Sequence, residues 1–266
     1  MRQGGNNLGK MELTDTNFWD DYWSKYKLPC TVDNSFSFDR CMARELKRLL
    51  IKCTGSVLEV GSAPGKWLAF LNQEIGLLPS GIEYSPVGNE KTIENFKLLG
   101  ISNSGNFWEG DFLMIQPQQQ FDVVMSLGFI EHFDNVEEIV QRHLLWLKPN
   151  GLLVLGIPNF KGIYYPIQRI LDKTLLDKHN LDIMSFEFFR ETAENFSLQI
   201  ESLRYIGGFE PALPIAKPGI HNVQQFLVKG LLFLFSWIRR LRVFDNINNK
   251  YISSYILCVY KKGDVS

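Results

Sequence analysis

The chain carries almost no net charge. Its 28 basic and 29 acidic side chains leave -1 over 266 residues, so no excess of positive charge exists to track a phosphodiester backbone, and a nucleic-acid partner is not expected. Cysteine is scarce as well. Cys30, Cys41, Cys53 and Cys258 include no C-x-x-C pair, which removes the usual zinc-ribbon and thioredoxin-type spacings. With no secretory signal ahead of them, a reducing cytoplasmic setting is expected. Residues 1–10, MRQGGNNLGK, lack an apolar stretch and read as a flexible leader. The longest apolar run, FLVKGLLFLFSWI from Phe226 to Ile238, ends after 13 residues and contains Lys229, too short to cross a bilayer. No internal repeat or low-complexity tract is evident.

Hydrophobic residues at 45% and charged residues at 21% suit a soluble globular chain, and the length suits one α/β domain with additions. The segments DTNFWDDYWSKYK and SFSFDRCMARELKRLLI place apolar residues at helical spacing. From Ser56 on, the apolar runs SVLEV, SGIEY, SGNFWEG, FDVVMS and GLLVLGIP alternate with helical segments that begin near Gly65, Pro86 and Asp134. Such alternation predicts βαβ crossovers and a mostly parallel sheet. Beyond Pro158 the rhythm breaks into a mostly helical stretch, then two further strands, SLQIESLRYI and SSYILCVYKK, separated by a Pro-rich loop and an apolar helix. The predicted organisation is a leader and N-terminal helical lid over 1–54, and a main domain over 55–266 with cap insertions near 158–195 and 207–250.

The glycine turn of SVLEVGSAPGKWLAFL decides what that sheet can bind. A Walker A loop needs four residues between its glycines and a hydroxyl after the lysine. Here three residues separate Gly61 from Gly65, and Trp67 follows Lys66, so Lys66 is expected to be a solvated helix-start residue. The dinucleotide fingerprint needs a second glycine for close approach of a pyrophosphate, and Ala63 stands there. A carboxylate, Glu59, followed by small residues suits a ligand with a positive group and no phosphate.

In this E-x-G-x-A-x-G motif the chain resembles the class I S-adenosylmethionine-dependent methyltransferases. The resemblance continues in order through Glu83 of GIEYS, the GDF of Gly110 to Phe112, FDVVMSLGFIEHF and LKPNGLLVLGIP. It implies a Rossmann-like α/β fold: a doubly wound, seven-stranded, mostly parallel sheet with helices on both faces, an N-terminal helical lid and an inserted helical cap. It implies S-adenosyl-L-methionine as cofactor. The residues it assigns to that cofactor are Glu59, Gly61, Ser62, Ala63, Gly65 and Trp67; Glu83, Tyr84 and Ser85; Asp111 and Phe112; Ser126, Leu127 and Gly128; and, from the aromatic leader, Tyr22 and Trp23. Glu83 is expected on the ribose hydroxyls, because a carboxylate accepts from two neighbouring hydroxyls at once.

Methyl transfer needs chiefly positioning, plus a base where the acceptor must lose a proton. His132, just past the fourth strand, is the expected base. Relatives that methylate quinone precursors or RNA ends carry Glu-x-x-Glu-His. Gly128 takes the first of those positions, ahead of Glu131, so no metal is expected. The cap is expected to select the acceptor, through Tyr164, Tyr165, His179 and Asn180. The expected reaction is methylation of an oxygen or nitrogen of a small-molecule metabolite or biosynthetic intermediate. Competing readings are a nicotinamide-dependent oxidoreductase, which would need the missing glycines, and a non-catalytic scaffold. The apolar helix within 223–244, ending in Arg239, Arg240 and Arg242, leaves packing, a homodimer face and peripheral membrane contact as open alternatives.

Overall fold

A computed structural model of the chain describes residues 14–210 and 240–264, together with Leu234 and Trp237. The leader over 1–10 and most of the 207–250 insertion, including the body of the 223–244 helix, lie outside the described residues. No helix among the described residues is long and apolar enough to cross a membrane.

Seven strands form one sheet in the order β3-β2-β1-β4-β5-β7-β6. They are β1 Ser56–Val60, β2 Leu78–Glu83, β3 Phe107–Glu109, β4 Phe121–Leu127, β5 Leu147–Pro158, β6 Gln199–Ile206 and β7 Tyr255–Lys261. The first five pair in parallel, and β7 lies antiparallel between β5 and β6. β1 and β4 read as near-continuous apolar runs because helices cover both faces of the sheet. One face buries Leu58, Val124, Trp146, Leu155 and Phe189. The other buries Met42, Leu46, Leu68, Val123 and Val154.

The helices are α1 Thr16–Ser24, α2 Ser37–Leu50, α3 Lys66–Ile75, α4 Pro86–Leu98, α5 Val136–Trp146, α6 Tyr164–Leu171, α7 Lys173–Leu176 and α8 Phe186–Asn195. Their ends follow local chemistry. Asp15 caps α1 through the Phe18 N–H, and Ser85 caps α4 with Pro86 in its first turn. Asn135 caps α5, so that helix starts two residues past the expected Asp134. β5 starts four residues ahead of the predicted GLLVLGIP, because Leu147 already pairs with Phe121. β1 sends its connection to β2 on one side while β4 lies on the other, and the crevice at the carboxyl ends of these strands is where such sheets bind ligands.

Candidate active site

A cavity of about 470 Å³ opens at that crevice. Its floor is the turn after β1. Gly61 has φ +73°, and a Cβ there would stand 3.0 Å from the Phe129 ring; Gly65 has φ +80°, and its Cβ would meet Thr92 and Phe96 at 2.9 Å. Both positions require glycine on backbone and steric grounds together. Gly65 also starts α3, and its neighbour Lys66 is not the solvated residue expected. Its Nζ pairs with Asp39 at 2.8 Å and lies 4.6 Å from the Trp67 ring centroid, because α2 packs across the turn and brings Asp39 to it.

Two carboxylates face this floor. Glu59 and Glu83 are each 4% exposed. Burial, then the neighbouring Glu83 charge, pushes Glu59 well above the carboxylate range. Burial pushes Glu83 up to about 7, against the pull of backbone N–H donors. Glu83 accepts from the Ala63 N–H at 3.0 Å and the Ser85 N–H at 2.9 Å, which locks the turn after β1 to the end of β2. Glu59 Oε2 and Ser62 Oγ, on residues that line the cavity, are buried with no hydrogen-bond partner among the described residues. Buried acceptors left in this state mark a place for a ligand that donates and carries positive charge. S-adenosylmethionine, with its ammonium, sulfonium and ribose hydroxyls, fits that donor set.

The other expected cofactor residues divide by position. Ser62, Ala63, Trp67, Tyr84, Asp111, Phe112, Leu127 and Gly128 line the cavity, as do Tyr22 and Trp23. Ser85, Ser126 and Gly65 sit behind its wall. The Ser85 hydroxyl caps the Gly88 N–H and donates to Asp20, so α1 is tied to the start of α4. Asp111 accepts from the Leu113 N–H at 2.8 Å, which holds its local turn. The wall supplied by α1 also includes Trp19. Its ring meets His132 edge-on at 5.1 Å.

Across from the glycine turn, the loop after β4 meets the end of α7. The His132 Nδ1–H donates to the Lys178 carbonyl at 2.9 Å, the His179 Nδ1–H donates to the Leu175 carbonyl at 2.7 Å, and the two ring centroids are 4.6 Å apart. The Asn180 N–H donates to the Glu131 carbonyl at 2.6 Å. Burial pushes Glu131 up to about 8. Burial, and then His179, push His132 down to about 3. An imidazole so reluctant to protonate is a poor general base at neutral pH, which counts against the expected role of His132 as the base.

The cap residues also separate. His179 lines the cavity and Tyr164, Tyr165 and Asn180 do not. Tyr164 is fully buried, donates its hydroxyl proton to the Ile252 carbonyl at 2.7 Å and accepts from the Glu210 N–H at 2.8 Å. It pins α6 to the chain ahead of β7. Tyr165 is 40% exposed on the outer side of α6. The Asn180 side chain donates to the Phe133 carbonyl at 3.2 Å. Tyr164 and Asn180 are corrected from acceptor contacts to structural ties, because backbone groups distant in sequence already satisfy them, and Tyr165 is corrected to an exposed residue outside the cavity.

The sequence profile of a family described as "Methyltransferase domain" matches residues 35–202. No curated protein sequence matches the chain. Among solved structures, a SAM-dependent methyltransferase from Archaeoglobus fulgidus superposes with a TM-score of 0.52 at 19% identity, over 83% of this chain and 93% of that one. A SAM-dependent methyltransferase from Thiobacillus denitrificans, in complex with S-adenosyl-L-homocysteine, gives a TM-score of 0.57 at 14% identity over 91% and 97%. The cyclase SpnF gives 0.62 at 13% identity over 96% and 97%. At these identities the likeness speaks for the fold.

Proposed function

Since the chain belongs to the methyltransferase-domain family and its cofactor is S-adenosylmethionine, we propose that it methylates an oxygen or nitrogen of a small-molecule metabolite or biosynthetic intermediate. The observation that carries this reading is the single cavity that joins the glycine turn and Glu83 on one side to His132 and His179 on the other. Its volume of about 470 Å³ is of small-ligand size. When bound, S-adenosylmethionine supplies a methyl group on a positively charged sulfur.

The chain's own residues then do the following. Glu83 accepts the ribose hydroxyls, and Glu59 offsets positive charge at the turn. Tyr22 and Trp23, on a helix laid over the opening, exclude water and present aromatic faces to a cation. His132 and His179 orient the acceptor atom, and positioning of this kind supplies most of the rate in a transfer whose donor is already activated.

The test is transfer of a labelled methyl group from the cofactor into a fractionated metabolite extract. A labelled small product supports the reading. Label found only in macromolecules, or in nothing while S-adenosylhomocysteine binds, overturns it. His179→Ala is expected to lower transfer by at least about tenfold with cofactor affinity retained, since its ring lies across the cavity from Glu83.

A further inference from the structure

Glu131, His132 and His179 are set together in a way that positioning an acceptor does not by itself require. Their ligand-capable atoms all lie within 4.8 Å of one another. Glu131 is 1% exposed and its Oε2 has no partner among the described residues. Its Oε1 stands 3.9 Å from His132 Nε2, too far for a hydrogen bond but within reach of a shared ion, whose ligands at about 2.1 Å stand roughly 3–4 Å apart. Both imidazoles spend Nδ1–H on a backbone carbonyl. That fixes the tautomer and leaves each Nε2 lone pair available, the outer arrangement that metal-binding histidines adopt.

We propose that Glu131, His132 and His179 hold a divalent transition cation, and that an ionisable oxygen of the acceptor completes its coordination. Two imidazoles and one carboxylate favour zinc, manganese or ferrous iron over magnesium and calcium, which take mainly oxygen ligands. Three protein ligands leave positions open toward the cavity, as catalytic sites do. The sequence argued against a metal because Gly128 replaces a glutamate. The structure explains the replacement: Gly128 has φ +77°, and a Cβ there would lie 3.0 Å from the Tyr255 hydroxyl. The third ligand comes instead from the end of α7, beyond β5. The cation site stands independently of the acceptor assignment; the oxygen ligand rests on the small-molecule reading above.

The test uses the full chain, stripped with a chelator and dialysed separately against Zn²⁺ and Mn²⁺, with bound metal counted by mass spectrometry. S-adenosylhomocysteine is titrated into the same samples. Uptake of one equivalent of either cation is expected, weakened about 10- to 100-fold in His179→Ala and in Glu131→Gln. Co²⁺ gives a readout free of variants, through its visible ligand-field bands, and added catechol is expected to shift them. Wild-type protein that binds S-adenosylhomocysteine but no cation overturns the site and leaves the cofactor reading intact. Unchanged uptake in both variants overturns the ligand assignment, and bands indifferent to catechol overturn the acceptor oxygen.

Discussion

Replacing Glu83 with Gln tests the proposed contact with the ribose hydroxyls. The carboxylate holds one backbone N–H on each oxygen, from Ala63 and Ser85. Each oxygen accepts a second bond, so two acceptor positions remain for the two hydroxyls. The amide keeps one such oxygen and turns an NH₂ donor toward one of the backbone N–H donors. Losing one charge-assisted bond and creating one donor–donor conflict costs about 2–3 kcal/mol of binding. That corresponds to a roughly 30- to 150-fold higher Kd for S-adenosylhomocysteine. The wild type adds a pH signature, because burial raises Glu83 to about 7 and only the carboxylate offers both positions. Its ionised fraction rises from about 0.1 near pH 6 to about 0.9 near pH 8, so affinity rises roughly tenfold over that interval, while Glu83→Gln stays flat. In the free protein the sign is opposite: a folded value above the unfolded one means that ionisation costs stability as pH rises from about 4.5 to about 7. Calorimetric titration of both proteins across this range reads the affinity, and urea unfolding of the free proteins reads the stability. Wild-type affinity independent of pH, or a variant within about threefold of wild type near pH 8, refutes the reasoning.

Three further outcomes follow from groups outside the acceptor cluster. His143 is fully buried with its Nδ1–H on the Ile139 carbonyl, and burial lowers it to about 4. Its neutral form therefore favours the fold above about pH 6.5, and roughly 3 kcal/mol is lost as pH falls toward about 4; urea unfolding at several pH values should show this slope diminished in His143→Phe. Lys66→Met removes the 2.8 Å pair with the 10% exposed Asp39 carboxylate and is expected to cost about 2 kcal/mol in thermal or urea unfolding, with Lys66→Met/Asp39→Asn costing less than the sum of the single changes. Gly61→Ala imposes a side chain at φ +73° and 3.0 Å from Phe129; about 1–2 kcal/mol of stability and most cofactor affinity should be lost, and an S-adenosylhomocysteine titration indistinguishable from wild type would show the turn to be permissive.

What the sequence made legible was local. The glycine turn, Glu59 and Glu83 are fixed by spacing within one strand–helix–strand unit, β1 to β2, and the parallel strands announce themselves as apolar runs because both faces are covered. What stayed hidden depends on contacts between distant segments. Lys66 reads as a surface lysine until α2 brings Asp39 against it. Tyr164 and Asn180 carry polar tips that suggest ligand contact, yet the Ile252, Glu210 and Phe133 backbones take up those tips. His132 offered no signal that His179 would lie beside it, because β5 separates them in the chain.

The bonds that join the loop after β4 to the end of α7 have an evolutionary consequence. His132 is held by the Lys178 carbonyl, and the Asn180 N–H holds the Glu131 carbonyl. Main-chain groups are the same whatever side chain they carry, so this stretch can exchange residue types at Lys178 and lose only that side chain's own contacts. A one-residue deletion between Leu176 and His179 is different in kind, because it shifts every carbonyl by one place and detaches the imidazole. Natural variation in acceptor preference should therefore appear here as substitutions at constant length.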